Sequence, residues 1–432
     1  MTFVRTPSRL RAQDLLAPVL AAPLSVRDVL AGGGVRFLYQ PIVELAGRRV
    51  VGYEALARGP AGSELERPDR LFAAARSEGV LEQLDWCCRI GAVLGALEGG
   101  LRRPLSVFVN VEPSVAAAAQ PPEARRALAA IDGRFGVVVE FTERALTEGP
   151  GAVIAKAREL RARGWGIALD DVGADPHSLA LMPFIEPDVI KLDLSLVRGR
   201  PSAHTAAVVS AVGAEAERSG AIVLAEGIET EAQLEIARAL GADYGQGWLF
   251  GRPEPLPAVL PEQAPELRVR RAAGAPEIIA TPFEVVTAER PTRRGPKSLL
   301  LAISRTLEAQ AEAQNESTVI LSTFQDDRHL TYATRLRYER LARSAAFVGA
   351  LGQGLSTEPA PGVRGAGLLA GETLRGEWDV TVVGTHFAAA FVACDVGDDG
   401  PDMERRFDFV LTYDRDLAVA AARSLMSRVT RA

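Results

Sequence analysis

The chain of 432 residues has few of the residue types that build disulfide frameworks, zinc sites and basic nucleic-acid surfaces. Its three cysteines are Cys87, Cys88 and Cys394, two of them adjacent, and no C-x-x-C spacing occurs. That excludes a disulfide framework and a cysteine zinc site, and a reducing cytoplasm suits this usage best. Histidine is equally scarce, and His177, His204, His329 and His386 show no metal-ligand spacing. No run of about 18 apolar residues is present, so no transmembrane helix is expected. Positive charge is also in deficit: 49 Lys+Arg stand against 55 Asp+Glu, for a formal net charge of -6, which argues against a general DNA or RNA coat. No Gly-rich loop has P-loop form, and no G-x-G-x-x-G follows a strand-like run. Ala31-Gly32-Gly33-Gly34 reads only as a flexible turn into a strand.

What is present is an ordinary globular composition, 47% hydrophobic and 24% charged, over a length that suits two or three domains. Residues 1–29 read as a lead-in. Leu15 to Leu24 has the length of a signal h-region, but Pro18 and Pro23 interrupt it and Asp14 precedes it, so a helical segment is expected instead. Between residues 30 and 255, β-rich runs alternate with helical spacing: Val35 to Tyr39, Val50 to Leu56, Ser106 to Val111, Gly136 to Phe141, Gly166 to Leu169, Val189 to Leu192, Ala221 to Ala225, and a weaker run at Tyr244. Helix-like stretches such as Pro68 to Leu97, Ala152 to Arg163, Ala203 to Arg218 and Glu231 to Leu240 lie between them. Such alternation predicts βα units, a parallel sheet and a closed (β/α) TIM-type barrel.

Pro255 to Pro296 then shifts to Pro, Ala, Glu and Arg; residues 256–279 read as a linker, with a short helix and then a first strand of the next unit at Phe283 to Val286. Residues 280–432 predict a second, smaller α/β domain. Its strands are expected at Val319 to Phe324, Trp378 to Val383, Phe387 to Val396 and Phe407 to Thr412, and its helices at Leu299 to Gln314, Tyr332 to Ser344 and Arg415 to Val429.

The chemistry collects at the ends of the barrel runs, where Glu54, Asn110, Glu140, Asp170 with Asp171, Lys191 with Asp193, Glu226 and Gln246 follow one another. Any one of them could cap the next helix. Seven strand ends without a Ser or Thr are better explained by one cup on the C-terminal face of a barrel. Five carboxylates meet two cations there, Lys191 and Arg58, leaving three negative charges in excess. Two divalent cations would reverse that balance, and hard oxygen donors without Cys or His select Mg²⁺ or Mn²⁺. Adjacent Asp170 and Asp171 suit a bridge between metals about 3.5–4 Å apart, and hydrolysis of a phosphate ester is the reaction class implied.

On these residues the chain resembles the EAL domain family of cyclic di-GMP phosphodiesterases. The resemblance runs through Gln40-Pro41-Ile42-Val43, Tyr53-Glu54-Ala55-Leu56-Ala57-Arg58, Asn110, Glu140-Phe141-Thr142-Glu143, Asp170-Asp171, Lys191-Leu192-Asp193, Ala225-Glu226-Gly227 and Gln246-Gly247-Trp248-Leu249-Phe250-Gly251-Arg252-Pro253. It implies that cyclic di-GMP is cut at one phosphodiester bond to linear pGpG. Glu54, Asn110, Glu140 and Asp170 would hold one metal, and Asp170, Asp171 and Glu226 the second. Lys191 would orient the attacking water, with the general base either Lys191 or Glu226. Gln40, Leu56, Arg58 and Gln246 would contact the dinucleotide, and Glu143 would brace the loop after the aspartates. A homodimer is implied by the same resemblance.

Two departures stand out. Where the family has Phe-Gly-Thr-Gly after the aspartates, this chain reads Val172-Gly173-Ala174-Asp175-Pro176, and Gly59 stands where a Trp is common. Because every ligand type is kept, an active enzyme is expected; a non-catalytic cyclic di-GMP receptor is the alternative. A barrel glycosidase using Glu54 or Glu140 leaves Asp170, Asp171 and Lys191 without a role. No GGDEF-type motif is present, so synthesis of the dinucleotide is not expected.

The second domain resembles the DICT sensory module, through Ser322-Thr323-Phe324-Gln325-Asp326, Arg337-Tyr338-Glu339-Arg340, Gly376-Glu377-Trp378-Asp379-Val380 and Arg406-Phe407-Asp408-Phe409. Its effector is not specified by these residues. Trp378, Phe324 and Tyr413 are expected in the core, the Arg337, Arg340 and Arg343 row on a solvated face, and Cys87 and Cys88 packed on a helix.

Overall fold

The computed structural model describes residues 24–115, 120–174, 179–199, 202–261, 265–267, 269, 280–314 and 317–429. The expected lead-in helix over Leu15 to Leu24 lies almost wholly outside them, as do Asp175, Pro176 and His177. Eight strands close a barrel in sequence order: β1 (Arg36–Glu44), β2 (Arg49–Arg58), β3 (Ser106–Asn110), β4 (Gly136–Thr142), β5 (Gly166–Val172), β6 (Val189–Leu192), β7 (Ile222–Ala225) and β8 (Tyr244–Gln246). The sheet is not wholly parallel, which corrects the sequence expectation: β1 runs antiparallel to both β2 and β8. Only residues 45–48 separate β1 from β2, and a parallel pairing needs a crossover of about a dozen residues or more. The first strand also continues through Pro41 to Glu44, past the proline where the run had seemed to stop.

Helices α1 (Val26–Ala31), α2 (Pro68–Ser77), α3 (Leu81–Glu98), α4 (Pro122–Ile131), α5 (Glu143–Glu148), α6 (Pro150–Ala162), α7 (Met182–Ile185), α8 (Leu194–Arg198), α9 (Ala203–Ser219) and α10 (Glu231–Ala239) accompany the strands. The single helix expected over Pro68 to Leu97 is two, broken at Gly79, whose φ of +67° stops α2 in the left-handed region. On α3, Cys88 is buried as expected while Cys87 stays half-exposed.

Inside the barrel one layer consists of Ile42, Phe108, Val138, Ala168, Val189 and Leu224, all essentially inaccessible to solvent. Strand side chains repeat every second residue, so the next inward position on each strand lies one level nearer the C-terminal rim. Those positions are Asn110, Glu140, Asp170, Lys191 and, just past β7, Glu226. Because β1 is reversed, the equivalent step from Ile42 goes down in number, to Gln40. The apolar layer thus floors the cup. From below, Leu267 and Val269 pack against the same layer, so part of the expected linker plugs the barrel.

The second unit carries helices α11 (Pro282–Thr287), α12 (Lys297–Ala313), α13 (Tyr332–Ser344) and α14 (Arg415–Met426). Its strands are β9 (Arg293–Pro296), β10 (Thr318–Asp326), β11 (Phe347–Gln353), β12 (Arg364–Gly367), β13 (Glu377–Gly384), β14 (Ala388–Asp395) and β15 (Arg406–Thr412), in the order β12-β11-β10-β13-β14-β15-β9. Phe283 to Val286 is helix, not strand: Thr281 and Glu284 form a reciprocal capping box that outweighs the β-branched pair Val285-Val286. Tyr413 is 55% exposed and so is not a core aromatic.

One face of this sheet packs on α12 and α13, and the other on α11 and α14. On that second face Val319, Leu321, Phe347 and Leu351, with Val419, Ala422, Leu425 and Met426 of α14, join the same apolar core as the outer residues of the barrel. Polar contacts reinforce the seam. Arg423 pairs with Glu186 at 2.8 Å and donates to the Pro183 carbonyl at 2.7 Å, both at α7. Gly151 of α6 lies so close to the end of α14 that a Cβ there would come within 2.7 Å of the Val429 carbonyl oxygen.

Two buried acids on β13 face α11 and α14. Glu377 Oε2 accepts from the Phe283 amide at 3.0 Å, and Asp379, fully buried, has the Thr323 hydroxyl 3.2 Å from Oδ2. Burial raises both carboxyls, Asp379 well above the ordinary range with Glu377 adding to it, and Glu377 to about 6.

Two outcomes are expected. Gly151→Val should cost about 1–3 kcal/mol by overpacking the α6–α14 contact and should make the α14 segment more protease-sensitive, as read by urea unfolding and limited proteolysis. Glu377 keeps its proton longer folded than unfolded, so its contribution is full below its unfolded pKa of 4.5 and is lost as pH rises to about 6. Over that window Glu377→Gln should gain about 1–2 kcal/mol on the wild type in paired unfolding curves.

Candidate functional site

Four carboxylates from strand ends meet around one lysine, and three amides stand beside them. Lys191, fully buried on β6, places its Nζ 2.7 Å from Glu140 Oε1, 2.9 Å from Asp170 Oδ1, 2.8 Å from Glu226 Oε1 and 3.8 Å from Glu54 Oε2. Three ammonium protons cannot satisfy four carboxylates, and Glu140 Oε2 has no hydrogen-bond partner among the described residues. Glu54 is better supplied: Asn110 Nδ2 donates to its Oε1 at 2.9 Å and Gln246 Nε2 to its Oε2 at 2.7 Å. Gln246 also donates to Gln40 Oε1 at 3.1 Å, and Gln40 in turn donates to the Gly251 carbonyl at 3.1 Å.

Adjacent residues on a strand point to opposite faces, so Asp170 and Asp171 can serve one site only if the strand is broken between them. It is. The β5–β6 register shifts between Leu169 and Val172, setting two β5 residues against Lys191, and Asp171 has φ +57°. A bulge with a left-handed non-glycine residue is costly and is found where a side chain has to be re-aimed. Asp170, Asp171 and Glu226 consequently place one oxygen each within 4.8 Å of one another.

The loop after the bulge is pinned from two sides. Glu143, buried at the start of α5, accepts the Gly173 amide at 2.8 Å on Oε1, and His204 Nε2 lies 2.7 Å from the Gly173 carbonyl. The surface position that a helix-start glutamate could have had is thus ruled out for Glu143. His204 had no sequence signal: it sits on α9, outside every motif, and only the fold brings it to the loop. Asp193, by contrast, is a helix cap, its carboxylate accepting the Ser195 amide at 2.8 Å. On β2 the period of two puts Glu54, Leu56 and Arg58 on one face at rising height. Arg58 reaches the rim, where its guanidinium donates to the Ala57 carbonyl at 2.8 Å and makes no ion pair among the described residues. Gly59 follows, and a Cβ there would stand 2.1 Å from the Leu65 carbonyl oxygen, so this backbone path excludes a tryptophan.

Electrostatics follow from burial. It raises Glu140, helped by Glu54 and opposed by Lys191, to well above the ordinary carboxylate range. It raises Glu226 to about 8 against the pull of Lys191, and Asp171 to about 6 with Asp170 adding to the shift. Burial would raise Glu54 too, but the Lys191 charge and the hydrogen bonds from Gln246 and Asn110 outweigh it and hold it low. Burial alone would lower Lys191; Asp170, Glu140, Glu226 and Glu54 more than reverse this and hold the ammonium well above the usual lysine range. A cup this rich in under-partnered carboxylate oxygens, with one cation inside it, fits hard divalent cations.

Residues 24–253 match the family described as the EAL domain, and residues 284–395 match the sensory domain in diguanylate cyclases and two-component systems, DICT. Curated relatives include cyclic di-GMP phosphodiesterase RocR of Pseudomonas aeruginosa, 31% identical over 59% of this chain and 67% of the relative. Cyclic di-GMP phosphodiesterase NbdA of the same organism is 33% identical over 54% of this chain and 31% of the relative. The chain therefore spans less than a third of the length of some relatives that it matches. Among solved structures, a manganese and cyclic di-GMP complex of Klebsiella pneumoniae BlrP1 is 31% identical, covers 54% of this chain and 58% of that one, and has a TM-score of 0.45.

If Lys191 is the counterion that makes the cup tolerable, Lys191→Met should destabilise the EDTA-treated protein by about 3–5 kcal/mol, since it strands several buried carboxylates. Added Mg²⁺ or Mn²⁺ should recover part of that loss in the same thermal melts.

Proposed function

The chain belongs to the EAL domain family, and from that membership we propose that it hydrolyses cyclic di-GMP to linear pGpG with Mg²⁺ or Mn²⁺ held in the cup. The observation that carries this reading is the excess of buried, under-partnered carboxylate oxygen around Lys191, on the C-terminal face of the barrel. Relatives named as cyclic di-GMP phosphodiesterases, RocR and NbdA among them, support it. Glu54, Asn110, Glu140 and Asp170 would hold one cation, and Asp170, Asp171 and Glu226 the other. Bound there, the cations would supply Lewis acidity at the scissile phosphate and offset its negative charge.

The remaining steps belong to the chain's own side chains. Arg58 at the rim, without an ion pair among the described residues, offers its remaining guanidinium donors to a phosphate, and Leu56 gives an apolar surface one level below it. Gln40 and Gln246, linked to each other and to Glu54, present amide edges to the dinucleotide. Lys191 orients the attacking water. Its ammonium and the Glu226 carboxylate are 2.8 Å apart, so we assign the water's proton to this pair as a unit. A water oxygen bonds to phosphorus, one P–O3′ bond breaks, and the leaving 3′ oxygen takes up a proton, giving the 5′-phosphorylated linear product. We place the enzyme in the cytoplasm, in keeping with three free cysteines. The second domain would modulate the barrel through α14, which bears on α7 just beyond the aspartate loop.

Incubation with cyclic di-GMP and Mn²⁺ or Mg²⁺, followed by chromatography, should yield pGpG. Glu54→Ala should lower turnover by about 10²–10³-fold, and EDTA should abolish it. Arg58→Ala should act mainly on KM. Binding of cyclic di-GMP without turnover in the wild type would favour the receptor reading instead.

A further inference from the structure

In the second unit, α12, α13 and the sheet enclose a cavity of about 320 Å³ that plays no part in the barrel chemistry. That volume is at the scale of small-molecule sites. Its wall is aromatic: Trp378 stands edge-on to Phe407, with ring centroids 5.8 Å apart, and Phe324 edge-on to Tyr338 at 5.2 Å. Trp378 and Phe324 are only partly buried, so the cavity leaves aromatic surface uncovered.

Among the charged residues of the lining, cations outnumber carboxylates. Lys297, Arg305, Arg328 and Arg337 face only two carboxylates in the lining, Glu308 and Asp402. Asp402 takes Lys297 at 2.6 Å and the buried Glu308 takes Arg337. Arg328 has only a 3.5 Å contact with Asp326, and Arg305 makes no ion pair among the described residues. Arg305, and in part Arg328, both exposed at the mouth of the cavity, are thus left for a ligand. The wall behind them is deliberately shaped. β10 slips against β11 between Thr323 and Asp326, and Gln325 inside that slip has φ +56°. The distortion is held by Gln325 Nε2 donating to the Gly376 carbonyl at 3.2 Å, and by His329 Nδ1 lying 2.9 Å from the Phe324 carbonyl. Left-handed non-glycine residues and strand slips recur at ligand sites, where they aim side chains that a regular strand could not.

We propose that this cavity binds a small organic anion with a flat ring, the ring lying against Trp378 and Phe324 and a carboxylate or phosphate reaching Arg305 and Arg328. Aromatic faces with a cation excess at the mouth select such a molecule over a neutral one. The proposal is independent of the barrel's activity.

The test is isothermal titration of the full chain in EDTA with 1-naphthoate, 1-naphthyl phosphate and the neutral 1-naphthamide. EDTA keeps divalent cations out of the barrel cup, which then repels anions. Saturable one-to-one binding of either anion, at least about tenfold tighter than the amide, is expected, and the preferred anion identifies the headgroup. Arg305→Gln should weaken the anions about 5- to 10-fold and leave the amide unchanged. Leu301→Trp, which fills the cavity, should abolish binding while the thermal transition stays in place. The proposal is overturned if neither anion saturates the wild type, if the amide binds equally well, or if both variants bind as the wild type does.

Discussion

One buried ammonium sets the terms for the barrel. Lys191 has no solvent exposure and lies among Glu140, Asp170, Glu226 and Glu54, whose carboxylates could not share so small a space without it. Even so it satisfies them incompletely, since its three protons face four carboxylates and Glu140 Oε2 finds no donor among the described residues. Burial lifts Glu140 and Glu226 out of the usual carboxylate range, so the chain alone stabilises the cup partly by holding protons on it. Such a site is poised to exchange protons for hard divalent cations. The fold makes this possible by placing each donor one inward step above an apolar layer that closes the barrel beneath it.

Much of this was legible in the residues. Seven strand ends bearing carboxylate, amide or lysine implied a single cup, and the strand period explains why: Phe108 predicts Asn110, Val138 predicts Glu140, Val189 predicts Lys191. What could not be read was whatever departs from that period. The bulge that brings Asp171 beside Asp170 has no local sequence mark, and Asp171 in the left-handed region breaks a propensity rule in order to serve the site. His204 reaches Gly173 only through the packing of α9. Alternating βα runs imply parallel strands throughout, whereas the short turn after Glu44 forbids a crossover and reverses β1.

In the second unit, neighbouring strands and caps override local composition. β9, β11 and β12 carry Gly, Pro or Arg at positions that suggest turns, and they are strands because β15, β11 and β10 offer edges to pair with. Phe283 to Val286 has strand composition and a helix cap, and the cap decides it. The two units also meet more intimately than a linker implies. Residues of β10, β11 and α14 share a core with the barrel, and part of the connecting segment packs beneath the barrel floor. No helix among the described residues is long and apolar enough to cross a membrane.

The central claim is that the carboxylate excess around Lys191 is a divalent-cation site, and cation stoichiometry tests it most directly. Equilibrium dialysis of Mn²⁺ against the EDTA-stripped chain at neutral pH, with free manganese read by electron paramagnetic resonance, should give two tightly held ions per chain, with protons released as they bind. Asp170→Asn should lose at least one of them. Failure of the wild type to hold Mn²⁺, or binding that Asp170→Asn leaves untouched, would contradict the account.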